Sequence, residues 1–264
     1  MEGGPLALHL FSGPRDRSDG LHCWLSTFGW DTVEVDVRNV ALGDPVADMD
    51  LLNDSLWQLL LKDVAARRYA AVWLGTPCTT FSVAKGRPLR SLDAIYGLPR
   101  RSAADPSGLS QEEVLQVQQG TYFAQRSIEV LALALRLGIP AALENPSPWP
   151  GRVSIFLLPE MLRLLESAGV DYVDFHQCPM GAETAKPTRV VSVHCDMSSL
   201  VGWCDHRPQW WRYRTPARRW ARCFRPHPPL KGRILDDGSW ATAAAAAYPS
   251  EMYRRIAEAF VACV

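Results

Sequence analysis

The sequence predicts an α/β fold built on a doubly wound sheet of parallel strands, and three observations carry that expectation. Over the first two hundred residues, short apolar runs of strand length alternate with stretches of helical periodicity. The stretches between strands reach ten residues or more, the length that a helical crossover between parallel strands needs. With 264 residues, about half of them apolar, the chain can bury one sizeable core.

The first strand is read at "LALHLF" (6–11), followed by the polar turn "SGPRDRSDG" and a helix "LHCWLSTFG" that Gly29 closes. "TVEVDV" (32–37) alternates apolar and polar residues, as a half-buried strand does. A helix over "SLWQLLLKDVAARR", a strand at "YAAVWLG" (69–75), a long helix "QEEVLQVQQGTYFAQRSIEVLALALRLG" and a strand at "PAALENP" (140–146) come next. "FLLPEMLRLLESAG" then reads as a helix, and "YVDFHQ" and "RVVSVHC" as strands.

In such sheets ligands bind outside the C-terminal ends of the strands, so those ends are where chemistry is sought. After the first strand, Gly13 allows the backbone to approach a ligand; at the end of the second, Asp36 suits a ribose hydroxyl. A turn glycine and a surface acid are the plain alternatives for these two. After the third strand, Cys78 follows Pro77, which lacks an N–H and stiffens the turn so that the thiol points one way. A buried structural cysteine is the alternative. The fourth strand ends in "LENP", which adds Glu144 and Asn145 at the same rim. A thiol and a carboxyl group converging over a crevice suit nucleophilic addition assisted by protonation.

Charge is balanced overall, 28 Lys/Arg against 28 Asp/Glu, but unevenly spread. Nine cations and one acid, Asp205, fall within residues 201–233, leaving the remainder with a net charge of −8. Trp203, Trp210, Trp211, Tyr213, Trp220 and Phe224 interleave with those cations. Cations for phosphates and flat rings for bases are what nucleic-acid surfaces use, so Arg212, Arg214, Arg218, Arg219 and Arg222 are read as phosphate contacts and Trp210 and Trp211 as stacking platforms, a solvated basic face whose tryptophans fill a small core being the plain alternative. Arg87 and Arg90 are added as nucleic-acid contacts from the polar, Arg- and Pro-rich loop over residues 83–110. Neither an apolar run of eighteen residues nor a basic, apolar leader is found, which predicts an intracellular protein, neither secreted nor membrane-bound; a monomer is expected, nuclear or in a host cytoplasm according to its source. Seven cysteines without short paired spacing argue for reduced thiols, metal ligands or a nucleophile over a disulfide framework.

These residues resemble the C5-cytosine DNA methyltransferase family, which uses S-adenosylmethionine. "LHLFSGPRDRSDGL" is similar to its first motif, "TVEVDV" to its second, "LGTPCTTFS" to its Pro-Cys nucleophile motif and "LENP" to its Glu-Asn motif. "KPTRVVSV" (186–193) falls where the family has a strand opening with paired arginines, and "AYPSEMYRRIAEAF" (247–260) resembles its closing helix. The order spans nearly the whole chain, with Glu144 66 residues after Cys78. The pattern departs in Pro14 and Arg15 where glycines are usual, in Pro146 after Glu-Asn, and in Pro187 in place of one arginine. "PRDR" and "ENP" are similar to compact phage-like and retroelement-associated branches.

The resemblance implies a Rossmann-like S-adenosylmethionine-dependent methyltransferase sheet (1–193), a small basic, Trp-rich target-recognition region (194–240), and a closing helix that packs back on the catalytic domain (241–264). It implies that Cys78 adds to C6 of a flipped cytosine and that Glu144 holds and protonates N3. It further implies that Arg189 contacts O2 and that Asn145 braces the loop. On the cofactor side it implies Asp36 on the ribose, Val37 on adenine and Asp50, or Asp48, on the adenine amino group, with Phe11, Gly13 and Pro77 lining the pocket. Residues 83–110 then form the mobile loop that closes over substrate. The alternatives are the same chemistry on RNA or with another donor, and a non-catalytic nucleic-acid-binding module on this fold. Within the C-terminal region, Cys204, His206, Cys223 and His227 are read as a structural zinc site, with Cys195 as a rival ligand.

Overall fold

The computed structural model describes residues 3–13, 17–37, 49–82, 87–103, 105–206 and 245–264, with positions 220, 221, 223, 227, 228, 234 and 238 between them. Six strands form the main sheet: β1 (Leu6–Leu10), β2 (Asp31–Val35), β3 (Ala71–Leu74), β4 (Ala141–Pro146), β5 (Val170–His176) and β6 (Pro187–Val193). Their order is β2-β1-β3-β4-β6-β5. The first four are parallel, whereas β6 runs antiparallel to both β4 and β5. The four strands joined by helical crossovers pair in parallel, as the sequence predicts, and β6 makes the sheet a mixed one. Between β5 and β6 lies only a short loop with a single turn at Cys178–Met180, too short for a crossover, so the chain returns antiparallel and inserts beside β4.

Alternation along the strands sends side chains to two cores. Leu8, Leu10, Val72, Leu74, Leu143 and Val191 face α2 (Asp54–Ala65), α3 (Gln111–Leu137) and α4 (Pro159–Leu165), through residues such as Trp57, Leu60, Leu131 and Met161. Ala7, Trp73, Ala142 and Val190 face α1 (Leu21–Thr27) and α5 (Ser250–Val261), through Leu25, Met252, Ile256 and Phe260. Helices thus cover both faces, and the architecture is a Rossmann-like α/β sandwich. No helix among the described residues is long and apolar enough to cross a membrane.

Local sequence explains where the long helix begins and ends. Ser110 accepts from the Glu113 N–H while the Glu113 carboxylate accepts from the Ser110 N–H, a reciprocal cap at the start of α3. Gly138, with φ of 68°, turns the chain out of the helix into β4. The described part of the 83–110 loop is packed rather than a loose insertion. Leu89 and Leu109 bury against Val117 of α3, and within the loop the Arg101 N–H donates to the Leu109 carbonyl and the Leu109 N–H to the Pro99 carbonyl, both at 2.8 Å.

From β1 the chain crosses to β2 on one side, and β3 lies on the other, so the strand order reverses at β1 and β3. Such a reversal opens a crevice at the C-terminal ends of those strands. Phe11, Gly75 and the residues that follow sit there.

Candidate active site

At the mouth of the crevice, Phe11 adopts a left-handed φ of 57° and Gly13 one of 79°. The Gly13 N–H donates to Asp36 Oδ2 at 2.9 Å, which ties the end of β1 to the end of β2. Asp36 is buried, and Val37 beside it is exposed, an apolar surface at the crevice edge. Phe11 packs edge-to-face on Phe123 of α3, 5.2 Å between centroids. Asp50 accepts from the Leu52 N–H at 2.9 Å in the turn leading into α2. Asp48 lies outside the described residues. A Cβ at position 75 would lie 3.0 Å from the Phe11 carbonyl and 3.3 Å from Tyr248 Oη, so a larger residue would have to push these segments apart by a few tenths of an ångström.

Beyond Gly75 the chain turns through Thr76, Pro77 and Cys78, and the Cys78 carbonyl accepts from the Phe81 and Ser82 N–H groups at 2.9 and 2.8 Å. Two buried bonds hold this loop. Asn145 Nδ2 donates to the Thr76 carbonyl at 2.8 Å, and Thr76 Oγ1 donates to Ser127 Oγ of α3 at 2.8 Å. The amide next to the carboxyl group thereby fastens the cysteine loop to β4.

Glu144 is fully enclosed on the face of the sheet that α1 and α5 cover. Tyr248 Oη donates to Glu144 Oε2 at 2.6 Å, while the buried Glu144 Oε1 has no hydrogen-bond partner among the described residues. Burial pushes the Glu144 carboxyl above the ordinary range, with the Lys186 charge and the Tyr248 hydrogen bond pulling part of the way back. Cys78 feels the same group. Burial first, and then the Glu144 charge, push its thiol up to about 11, and Lys186 opposes them. Tyr248 is itself raised well above its ordinary value by burial and by Glu144. Thiol, carboxyl, phenol and ammonium therefore form one electrostatic group, and the Lys186 ammonium also lies 4.9 Å from the Tyr248 ring centroid.

Tyr248 and Lys186 are the members that sequence reasoning missed. Tyr248 is 104 residues from Glu144 along the chain, and no local pattern joins them. A signal for Lys186 did exist: the chain has only four lysines against twenty-four arginines, and one of them immediately precedes β6.

Arg189 is not part of that group. In the β4–β6 register it pairs with Asn145, whereas Glu144 pairs with Val190, so alternation turns Arg189 to the opposite face. Its Nε and Nη2 donate to Asp174 at 3.0 and 2.6 Å, and its guanidinium lies 4.1 Å from the Tyr172 ring centroid. The arginines expected on nucleic acid from the 83–110 loop are also engaged within the chain. Arg90 is buried and stacks 3.9 Å over Phe81; it donates to Thr80, Thr121 and the carbonyls of Ile95 and Val117. Burial lowers its guanidinium to about 10. Arg87 is exposed but pairs with Glu113 at 3.1 Å and donates to the Gly108 carbonyl at 2.9 Å. Trp210, Trp211, Arg212, Arg214, Arg218, Arg219 and Arg222 lie outside the described residues. Trp203 is buried against His176, with ring centroids 4.7 Å apart.

The cysteine cluster differs from the expected one by one residue. Cys178, Cys204, Cys223 and His227 bring one ligand atom each to within 4.8 Å of all the others. His206 falls outside that set: its Nδ1 lies 3.6 Å from Cys204 Sγ, and it groups only with Cys204 and Asp205. Cys195 is elsewhere, its thiol donating to the Ala141 carbonyl at 3.7 Å. The substitution is topological. Cys178 opens the turn after β5, and β7 (Trp203–Cys204) is fastened beside it through bonds from the His176 N–H to the Gly202 carbonyl and from the Cys204 N–H to His176 Nδ1.

Solved structures similar to the chain include three methyltransferases. A DNA modification methyltransferase encoded within an E. coli prophage matches 75% of this chain and 50% of its own, at 16% identity and a TM-score of 0.38. The S. pombe Dnmt2 methyltransferase matches 71% and 50%, at 14% identity and a TM-score of 0.39. A mutant of Spodoptera frugiperda DNMT2 matches 72% and 50%, at 14% identity and a TM-score of 0.36. The chain spans half the length of each of these proteins. No protein-family profile matches the chain, and no curated protein matches it.

Proposed function

We propose that the chain transfers a methyl group from S-adenosylmethionine to C5 of cytosine in DNA through a covalent bond between Cys78 and C6. The observation that carries this reading is Glu144: a buried carboxyl group, one oxygen held by Tyr248 and the other without a partner among the described residues, sharing an electrostatic environment with the Cys78 thiol. An unpaired buried oxygen calls for a polar ligand. Glu144 Oε1 suits the N3 and exocyclic amine of a flipped base, which a raised carboxyl group can protonate as charge builds on the ring. The sequence motifs around Cys78 and Glu144 point the same way.

The crevice residues fit the cofactor. Asp36 supplies a buried acceptor for ribose hydroxyls, Val37 an exposed apolar surface for adenine, and Asp50 an acceptor for its amino group. When bound, the cofactor supplies an electrophilic methyl group on a sulfonium centre. The protein's part is to prepare the base. A protonated Glu144 removes the like charge that opposes Cys78 ionisation and leaves Lys186 as the nearby cation for the thiolate. Attack of the thiolate at C6, with the Glu144 proton passing to N3, makes C5 nucleophilic; once C5 has taken the methyl group and left the donor a neutral thioether, water takes the C5 proton as the C6–S bond breaks to release the Cys78 thiolate, and N3 returns its proton to Glu144. Lys186 takes the orienting part that the resemblance assigned to Arg189.

Mass spectrometry of nucleosides from DNA and RNA incubated with the protein and labelled cofactor tests the reading. The expected product is 5-methylcytosine in DNA, absent with Cys78→Ser. Undiminished product from Cys78→Ser overturns the covalent mechanism, methylation confined to RNA overturns the DNA assignment, and no methylated nucleoside in either overturns the reaction.

A further inference from the structure

We propose that Cys178, Cys204, Cys223 and His227 hold one zinc ion that fastens both ends of the basic, Trp-rich segment to the end of β5. Tetrahedral zinc with metal–sulfur bonds of about 2.3 Å and metal–nitrogen bonds of about 2.0 Å spaces its ligand atoms about 3.5–3.8 Å apart. Here His227 Nε2 lies 3.0 Å from Cys204 Sγ and 3.4 Å from Cys223 Sγ, and all four ligand atoms lie within 4.8 Å of one another. The three thiols are buried, with Ala185 packed against them as the one apolar neighbour of their cluster among the described residues.

The imidazole has a second partner that fixes its role. His227 Nδ1 is 3.2 Å from the Glu183 carbonyl, which can only accept, so Nδ1 carries the proton and Nε2 turns its lone pair toward the three sulfurs. A carbonyl behind the distal nitrogen is the usual support of a metal-bound histidine. A disulfide would leave one of three clustered thiols unpaired, whereas one ion uses all three as thiolates. Three sulfurs and one imidazole select zinc among common divalent ions, and four protein ligands leave no place for reactive water. The role is structural.

Its position says what it holds. Cys204 ends β7 and Cys223 follows β8 (Trp220–Ala221), which pairs with β7 in parallel, Cys204 opposite Ala221. The chain between them, with Arg207, Arg212, Arg214, Arg218, Arg219, Arg222, Trp210 and Trp211 in its sequence, starts and finishes at the cluster. Cys178 comes from the main sheet's own turn, so the ion links that segment to the sheet instead of knitting the appendage to itself. The fastening role rests on the proposed function; the metal site does not.

Zinc is measured by elemental analysis of the full chain purified from zinc-supplemented culture, with cobalt substitution read by absorption. One zinc per chain is expected, with the intense tetrahedral thiolate spectrum on cobalt loading. Cys178→Ser should lose the ion, and His206→Ala and Cys195→Ser should keep it. Less than about a tenth of an equivalent in the wild type, a cobalt spectrum without thiolate bands, or loss in His206→Ala with retention in Cys178→Ser overturns the site. Because Cys178→Ser can fail to fold, the cobalt spectrum of the wild type decides by itself. For the fastening role, a DNA duplex is titrated by fluorescence anisotropy before and after zinc removal. At least tenfold weaker binding is expected, and equal affinity overturns that role. Failure of every form to bind DNA or RNA counts against the proposed function, and the fastening role falls with it, while the zinc stoichiometry stands.

Discussion

The Cys78 thiol should be unreactive in the resting protein. With the thiol pushed up to about 11, roughly one molecule in ten thousand carries a thiolate at pH 7. An ordinary cysteine near 8.5 has about three in a hundred, so the Cys78 thiolate is about 300-fold scarcer, and Cys78 should alkylate more slowly than a cysteine in a flexible peptide, by less than that ratio because a more basic thiolate is the better nucleophile. Thiolate is the reactive form, so the rate should climb tenfold per pH unit and level off only near pH 11. The cause can be divided by substitution. Glu144→Gln removes a like charge that helps to hold the thiol up, so at pH 9 alkylation should quicken. Lys186→Met removes the opposing cation and should slow it. The assay is timed iodoacetamide labelling across pH 6–11, with the Cys78 peptide quantified by mass spectrometry to separate it from the other six cysteines. A wild-type midpoint at or below about 8.5, or no acceleration in Glu144→Gln, refutes the electrostatic coupling of thiol and carboxyl group.

Tyr248→Phe leaves Glu144 Oε2 without its donor in a buried site, which should cost about 1–3 kcal/mol of stability in urea denaturation; an unchanged midpoint and slope would remove Tyr248 from that role. Arg90→Met strips a buried guanidinium from Thr80, Thr121, Ile95 and Val117, so stability should fall by at least about 3 kcal/mol. The salt dependence of DNA binding should be unaffected, and a log–log slope flattened by about 0.9 would instead mark Arg90 as a phosphate contact.

Much of the fold was legible because its signals are local. Gly29 and Gly138 mark helix ends by a backbone conformation that glycine adopts without steric cost, and Ser110 with Glu113 caps a helix within four residues. Strand ends were legible for the same reason, and they led to Cys78, Glu144 and Asp36. The antiparallel β6 was less so. Periodicity marks a strand but not its direction, and the short β5–β6 connection was the one available hint.

What only the tertiary structure decided is which side chains face one another. Arg189 is one residue from the position that pairs with Glu144, and in a sheet one residue is the difference between two faces; its charge goes to Asp174, and Lys186 stands at the carboxyl group instead. Arg90 looked like a surface cation because arginine usually is one, yet Phe81 and four polar partners enclose it. Cys178 joined the metal-type cluster in place of His206 because the turn after β5 meets β7 in space, 26 residues apart in sequence. By itself the sequence determined the chemistry available at each strand end, because residue type is local information. Pairing across the sheet, and Tyr248 reaching Glu144 over 104 residues, depend on long-range packing that no spacing along the chain encodes.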